Sequence, residues 1–445
     1  MNTRLLILPV LLAWLPSTAR CDRAQPANEW KQKEFIITYW CPPPATDEAL
    51  ARAAAEGYNL TWTAPDKLDV AARHNLRAML QSPLLKPEVL DDPAKRAELD
   101  ALIERVKKHP ALEAYYLTDE PGAGAFPALG KLVAYLRERD PAHVAYINLY
   151  PTYANEQQLE VSAAAADRAR VSYPTNFAGV GTDDKTVLRY REHLKKFVEM
   201  VKPELLSYDH YHFLKRKDDG RPNDGKQYFL NLALIRLTAQ EAGVPFVNII
   251  QAGNGEPFWR VPSAEEMRWL VFTTLAYGGR GISYFTYWNW RGGLYVDGKP
   301  SPLVQPVAAL NREMAKLGPA LLSLDSLAVY QTAPLPYGTE AIPANAPVQV
   351  AGAGQFVLGL FGKAGAPSAF MIVNRDYEAM AEAVLTVELP GSRLQELDRR
   401  TGGWVNAARL GRDRVFKTQL APGDGRLFRL ARGSQALVSP HELSQ

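Results

Sequence analysis

Cysteine and blocks of like charge are what this chain has least of. Its 445 residues hold two cysteines, Cys21 and Cys41. A pair that close can join in an oxidising compartment, but it cannot frame a large fold. Cys41 reads as a small packed residue. No Cys/His spacing matches a structural zinc. The net charge is +3 with no Lys/Arg cluster, which argues against nucleic acid as a partner. Beyond the N-terminus no apolar stretch approaches the roughly 20 residues that a membrane-spanning helix needs. A Gly-rich phosphate turn after an early strand is missing too: the first strand-like run ends in Cys41-Pro42-Pro43-Pro44. A nucleotide is therefore not expected, and neither is any other cofactor or a metal.

What is present begins with a secretory leader over residues 1–19. Arg4 supplies the charge, Leu5–Leu15 the apolar segment, and Ser17-Thr18-Ala19 a small-residue cleavage site. Cys21 leaves a lipid anchor as the alternative, but Arg20 stands where that signal takes a small residue. The expectation is a secreted or periplasmic protein. With 47% hydrophobic and 22% charged residues, the composition is that of a globular chain with a large core.

From residue 34, short apolar runs alternate with amphipathic segments. Strand-like runs fall at 34–40, 58–64, 76–82, 112–118, 143–151, 203–213, 244–251 and 280–288. Helical patterns lie between them, at 47–56, 68–75, 93–108, 126–139, 156–170, 186–201, 227–242 and 263–276, and a closing helix spans 304–317. Ser263 and Glu266 stand at capping-box spacing. This pattern predicts an α/β chain with a (β/α)8 TIM barrel over residues 30–322. After about residue 325 the helical period disappears. Short alternating runs separated by Gly, Pro and Asn predict a small antiparallel β-sandwich over 325–433. The two are expected to separate near 318–328, around Gly318-Pro319.

Barrels of this kind work at the C-terminal ends of their strands. Those ends carry Tyr39 and Trp40, Trp62, Gln81, then Thr118-Asp119-Glu120, Asn148 and Tyr150. They continue with Asp209-His210-Tyr211, Asn248 and Gln251, then Tyr287, Trp288 and Trp290. Aromatic walls with scattered carboxylates and amides suit a small neutral ligand such as a sugar. Taken singly, Trp62 and Trp288 read as core residues and His210 as a structural histidine. Their joint occurrence at eight strand ends carries the reading.

The stretch Tyr115–Pro121 (YYLTDEP) resembles the Asn-Glu-Pro that ends the fourth strand of clan-A, cellulase-like glycoside hydrolase barrels. Those are related loosely to family 42 β-galactosidases. YDHYHF (208–213) is similar to the clan's sixth-strand His-x-Tyr, and Trp288 to its eighth-strand Trp. MIVNRD (371–376) and LAPGDGRLFRL (420–430) look like a glycosidase C-terminal module. The resemblance implies a hydrolase of O-glycosidic bonds, with Glu120 as general acid/base and Asp119 in place of the Asn. One departure stands out: the seventh strand ends in Gln251, where the clan keeps its nucleophilic Glu. The second carboxylate is then expected at Asp209, with Glu256 and Asp119 as alternatives. Tyr39, Trp40, Trp62, Gln81, Asp119, Asn148, Tyr150, His210, Tyr211, Gln251, Tyr287, Trp288 and Trp290 are expected to bind substrate. The competing reading is a carbohydrate-binding barrel without catalysis, in which only amides would face Glu120. A metal-dependent hydrolase lacks paired His ligands at the strand ends.

Overall fold

The computed structural model describes residues 30–162, 164, 172–173, 176–288 and 292–431. The leader and Cys21, residues 163 and 165–170 of the expected helix over 156–170, and Trp290 lie outside the described residues; the helix that opens at Glu156 ends at Leu159. Eight parallel strands form one sheet: β1 (Ile36–Tyr39), β2 (Leu60–Thr63), β3 (Arg77–Leu80), β4 (Leu112–Asp119), β5 (Val144–Leu149), β6 (Leu206–His210), β7 (Phe246–Gln251) and β8 (Gly281–Phe285). They pair in chain order from β2 to β8, and β8 pairs with β1. Side chains close the remaining seam between β1 and β2. Asn59 Oδ1 accepts from Ile37 N at 2.8 Å, Asn59 Nδ2 donates to Phe35 O at 2.7 Å, and Thr38 Oγ1 donates to Leu60 O at 2.8 Å. These bonds satisfy backbone groups that would otherwise be exposed on two open edges.

The helices return the chain between strands and cover the barrel: α1 (Asp47–Ala55), α2 (Leu68–Arg73), α3 (Pro93–Val106), α4 (Phe126–Arg139), α5 (Glu156–Leu159), α6 (Lys185–Val201), α7 (Tyr228–Ala242), α8 (Ala264–Ala276) and α9 (Val304–Leu322). Local chemistry sets their starts. Thr46 Oγ1 caps α1, and Ser263 with Glu266 forms the expected capping box on α8. A short hairpin, β9 (Tyr295–Val296) and β10 (Lys299–Pro300), precedes α9. Among the described residues no helix is long and apolar enough to cross a membrane.

One irregularity positions the site. The register between β4 and β5 slips after Tyr116, so that Thr118 pairs with Ile147 and Asp119 with Asn148. An extra residue in one strand reverses which later side chains face inward. Tyr116 faces the barrel interior against Trp62 and Tyr146. Without the bulge at Leu117, Asp119 would point into the helix layer.

The C-terminal strands form two antiparallel sheets. One runs β11 (Asp325–Gln331), β13 (Phe356–Lys363), β14 (Ala366–Asn374), β19 (Gly425–Ala431), β16 (Arg393–Leu397), β17 (Trp404–Arg409). The other runs β12 (Val348–Ala351), β15 (Ala381–Val387), β18 (Val415–Leu420). Phe356, Leu358, Leu360, Phe370, Ile372, Leu385 and Phe428 fill the space between them. The opposite face of the larger sheet, with Val357, Phe361, Met371, Val373 and Leu427, is continuous with the barrel core. Because β13 is buried on both faces, its sequence reads as an unbroken apolar run.

Three details differ from the sequence expectation. Residues 349–362, one alternating run in the sequence (QVAGAGQFVLGLFG), split into β12 and β13, which belong to different sheets. β18 was not foreseen. α9 continues through Gly318-Pro319 to Leu322. Gly318 serves close approach rather than helix ending, since a Cβ there would lie 2.5 Å from Phe35 Cβ.

The larger sheet seats on α8 nearly backbone to helix. A Cβ on Gly359 would lie 2.4 Å from Ala276 O, and one on Gly425 2.7 Å from the Phe272 ring. Trp269 Nε1 donates across the junction to Arg375 O at 2.8 Å. A chain ending at residue 322 would expose Trp269, Phe272 and their neighbours, a contiguous apolar patch. We expect that truncation to aggregate on expression. A soluble, monomeric truncation that unfolds cooperatively would show instead that the barrel stands alone.

Candidate active site

The register sets Asp119 beside Asn148, and Asn148 beside Ser207. Two residues further along β6, Asp209 returns to the same inward face. Asn148, only 2% exposed, sits at the centre. Its Nδ2 donates to Asp209 Oδ1 at 2.8 Å and to Asp119 Oδ1 at 3.0 Å. Its Oδ1 accepts from Ser207 Oγ at 3.0 Å, and Ser207 Oγ meets Tyr146 Oη at 2.7 Å. The backbone carbonyl of Asn148 accepts from Glu120 N at 2.9 Å. Glu120 is held with φ at +45°, a conformation that costs a non-glycine residue about 1 kcal/mol or more. The turn aims its side chain back at Asp209.

The Glu120 and Asp209 carboxyls are hydrogen-bonded to each other, and both titrate above the ordinary carboxylate range. Burial is the first cause for each. For Glu120 the Asp119 charge adds to it, and the group is pushed up to about 7. Asp209 is more deeply buried and also feels the charges of Glu120 and Asp119, so it rises further. Two acids in contact cannot both ionise at neutral pH, so they share one proton. Deeper burial leaves that proton on Asp209, which donates to an ionised Glu120. The resemblance to the glycosidase barrels places the proton on Glu120 instead.

The mouth around the pair is open. Asp119 and Tyr153 keep solvent-facing surface, 47% for Tyr153. Yet desolvation by the surrounding wall raises the titration of both, as expected for groups lining a crater. Tyr150 and Tyr211 complete this side, and both feel the charges of Glu120, Asp119 and Asp209. Trp40, Trp62 and Tyr116 form an aromatic cluster, with Trp62 4.9 Å from each of the other two ring centroids. Sequence reasoning passed over Tyr153, Ser207 and Glu160. The aromatic pair in Tyr150-Pro151-Thr152-Tyr153 was the available signal for the first. Glu160 Oε2 accepts from Gly124 N at 2.6 Å and so pins the loop after β4.

Several expected substrate contacts are placed elsewhere. Gln251 is buried and spends its amide on backbone: Oε1 accepts from Phe213 N, and Nε2 donates to Phe213 O and Arg260 O. It locks the loops after β6 and β7 and has no donor turned to the mouth. His210 follows Asp209 along the strand and so faces the helix layer. Its Nδ1 meets Asn231 Oδ1 at 2.9 Å, and burial drops its titration to about 3, leaving it neutral. Tyr39 bonds Thr61 Oγ1 and stacks on Tyr287, and both rings are fully buried. Trp62 is buried as floor rather than wall. Trp288 packs on Tyr295 beneath the Arg52 guanidinium. Gln81 is exposed at the end of β3, and Glu256 is exposed on the loop after β7. Among the described residues no group of three or more His, Cys, Asp or Glu could hold a metal ion. A hollow of about 910 Å³ lies on the opposite face among Lys31, Arg236, Arg280 and Ser326, away from the acids.

Carboxyls that titrate high in the folded state bind protons that the unfolded chain has already released. Their effect on stability is most favourable below about pH 4 and is lost as pH rises through about 7 for Glu120. Glu120→Gln removes that penalty. We expect it to raise the melting temperature at pH 8 and to leave it nearly unchanged at pH 4. A lower melting temperature at pH 8 would contradict the crowding of the two acids.

No protein-family model matches the chain, and no curated relative matches it. Among solved structures it is similar to a β-galactosidase from Bacillus circulans sp. alkalophilus, at 10% identity over 89% of this chain and 99% of that one, with a TM-score of 0.44. It is also similar to a glycoside hydrolase family 5 mannosidase from Rhizomucor miehei, at 10% identity over 63% and 88% of the two chains, with a TM-score of 0.37. An endoglucanase from Pseudomonas stutzeri shares 15% identity over 67% and 88%, with a TM-score of 0.35. At such distances the chemistry has to be argued from the residues of this chain.

Proposed function

We propose that this protein is an exported glycoside hydrolase whose working pair is Asp209 and Glu120. The observation that carries the reading is the direct contact of these two acids in an aromatic-lined barrel mouth. One protonated and one ionised carboxyl are what cleavage of a glycosidic bond requires. The carbohydrate-binding alternative is disfavoured because a carboxyl, not an amide, faces Glu120. The apolar leader with its small-residue cleavage site supports export, and Arg20 before Cys21 disfavours a lipid anchor.

In this reading a sugar enters the crater against Trp40, Tyr116 and Tyr150, and its hydroxyls bond Asp119. The ring parts the pair. Asp209 delivers its proton to the leaving oxygen while Glu120 attacks the anomeric carbon and forms a glycosyl ester. Asp209, now ionised, takes a proton from the water that hydrolyses this ester. Inverting enzymes keep their acids about 6.5–9.5 Å apart to admit a water. Acids that meet in the empty mouth stand nearer the roughly 5–5.5 Å of retaining enzymes than that range, which supports retention of configuration.

Two expectations follow from these roles. Asp209→Asn should slow the cleavage of glycosides with poor leaving groups by about 10²–10⁴-fold, yet spare much of the turnover of aryl glycosides with acidic leaving groups. Glu120→Gln should abolish both. The opposite pattern would reverse the roles, and failure of the unmodified protein on every glycoside of a broad panel would overturn the function. The second expectation concerns pH. Below about 7 Glu120 gains its own proton and can no longer attack, so kcat/KM should fall as pH drops through about 7. It should fall again on the alkaline side when the shared proton leaves. An acid limb near 4, the ordinary carboxylate value, would contradict the assignment.

A further inference from the structure

We infer that Asn148 is a positioning residue that fixes which oxygen of Asp209 holds the shared proton and keeps Asp119 out of the exchange. This rests on the pair described above but not on the identity of the reaction. Both Nδ2 hydrogens of Asn148 are committed, one to Asp209 Oδ1 and one to Asp119 Oδ1. An oxygen that accepts an amide hydrogen is a poor site for a proton of its own, so the Asp209 proton sits on Oδ2, free to point at Glu120. The bond to Asp119 stabilises the ionised form of that group. Asp119 is thereby kept as a carboxylate and outside the proton exchange.

The orientation of this amide is itself fixed. Ser207 Oγ donates to Asn148 Oδ1, which leaves Ser207 Oγ to accept from Tyr146 Oη. A flipped amide would set its Nδ2 against the Ser207 hydroxyl and its oxygen against two acids. The relay from Tyr146 through Ser207 to Asn148 thus runs in one direction and ends on the acids. In addition, the Asn148 carbonyl holds Glu120 N at 2.9 Å, so the same residue anchors the left-handed turn that brings Glu120 to Asp209.

The other titratable groups around the pair do not replace this role. Asp119 flanks it from β4, Tyr150 and Tyr153 from the segment after β5, Tyr190 from α6 and Tyr211 from the end of β6. All of these are acids or phenols that titrate upward. Cys41, at the end of β1, feels the Asp119 charge and is likewise raised.

The test needs no substrate. The side-chain carboxyls of Asp and Glu are labelled with ¹³C in the full chain, and the Glu120 signal, identified by its loss in Glu120→Gln, is followed through a pH titration. Asn148→Leu removes both amide hydrogens at nearly constant volume. It should move the Glu120 titration by about one pH unit or more, and Asp119 should move upward with it. Ser207→Ala, which frees the amide to turn, should move both less and in the same direction. It serves as the second variant should Asn148→Leu fold poorly. Glu120 and Asp119 titrations that stay in place in a folded variant would overturn the proposal. That result would leave the hydrolase reading standing, because turnover is not measured.

Discussion

Three carboxyls crowd the mouth of the barrel, and among the described residues no cation offsets them. Asp119, Glu120 and Asp209 come from two strands and meet at one buried amide, Asn148. The charge of one raises the titration of the next. Such crowding is expensive unless a proton is shared and every remaining lone pair is bonded. The rest of the site can be understood as what keeps the three together: a bulge that turns Asp119 inward, a left-handed Glu120, and a hydroxyl relay that fixes the amide.

Holding that arrangement takes a rigid frame. The strands carrying the acids are central in the eight-stranded sheet, with paired neighbours on both sides. Gln251 ties the loops after β6 and β7 through backbone bonds, and α8, which covers β7, is clamped from outside by the larger C-terminal sheet. The sandwich therefore buttresses the barrel wall. The polar junction agrees with this: Arg375 reaches Gln331 Oε1 at 2.7 Å, and Gln331 Nε2 donates to Tyr277 Oη at 3.0 Å.

Much of the frame could be read from the chain. Seven of the eight barrel strands fall within the apolar runs and β4 passes the end of its run by one residue, to Asp119; Phe126–Arg139 forms a helix between the expected residues, because periodicity and Pro/Asp stops are local signals. The sidedness of the site was not legible. His210 and Tyr39 stand at strand ends, yet strand parity turns them toward the helices, while their neighbours Asp209 and Trp40 face inward; Tyr287 lies beyond β8 and stacks on Tyr39. A bulge at Leu117 leaves no mark in the residue types. Gln251 resembled an amide for a sugar hydroxyl, and only the path of the loop after β6 shows that backbone consumes it. β18 escaped because Val415–Leu420 alternates exposed residues with Phe416, Thr418 and Leu420, of which only the two at its C-terminal end are buried, and carries no apolar run. The carboxyls of YYLTDEP and YDHYHF could be singled out because each lies at or just past the C-terminal end of its strand, where a barrel places its chemistry.

The claim at the centre is that one proton lies between two acids, and neutron diffraction sees protons directly. A crystal of the protein grown well above pH 7, where Glu120 is ionised, and exchanged into heavy water should show a single deuteron in the contact of Asp209 and Glu120. It should be bonded to Asp209 Oδ2, with the Asn148 amide deuterons aimed at Asp209 Oδ1 and Asp119 Oδ1. Two bare carboxylates turned apart, or a deuteron on each, would contradict the account.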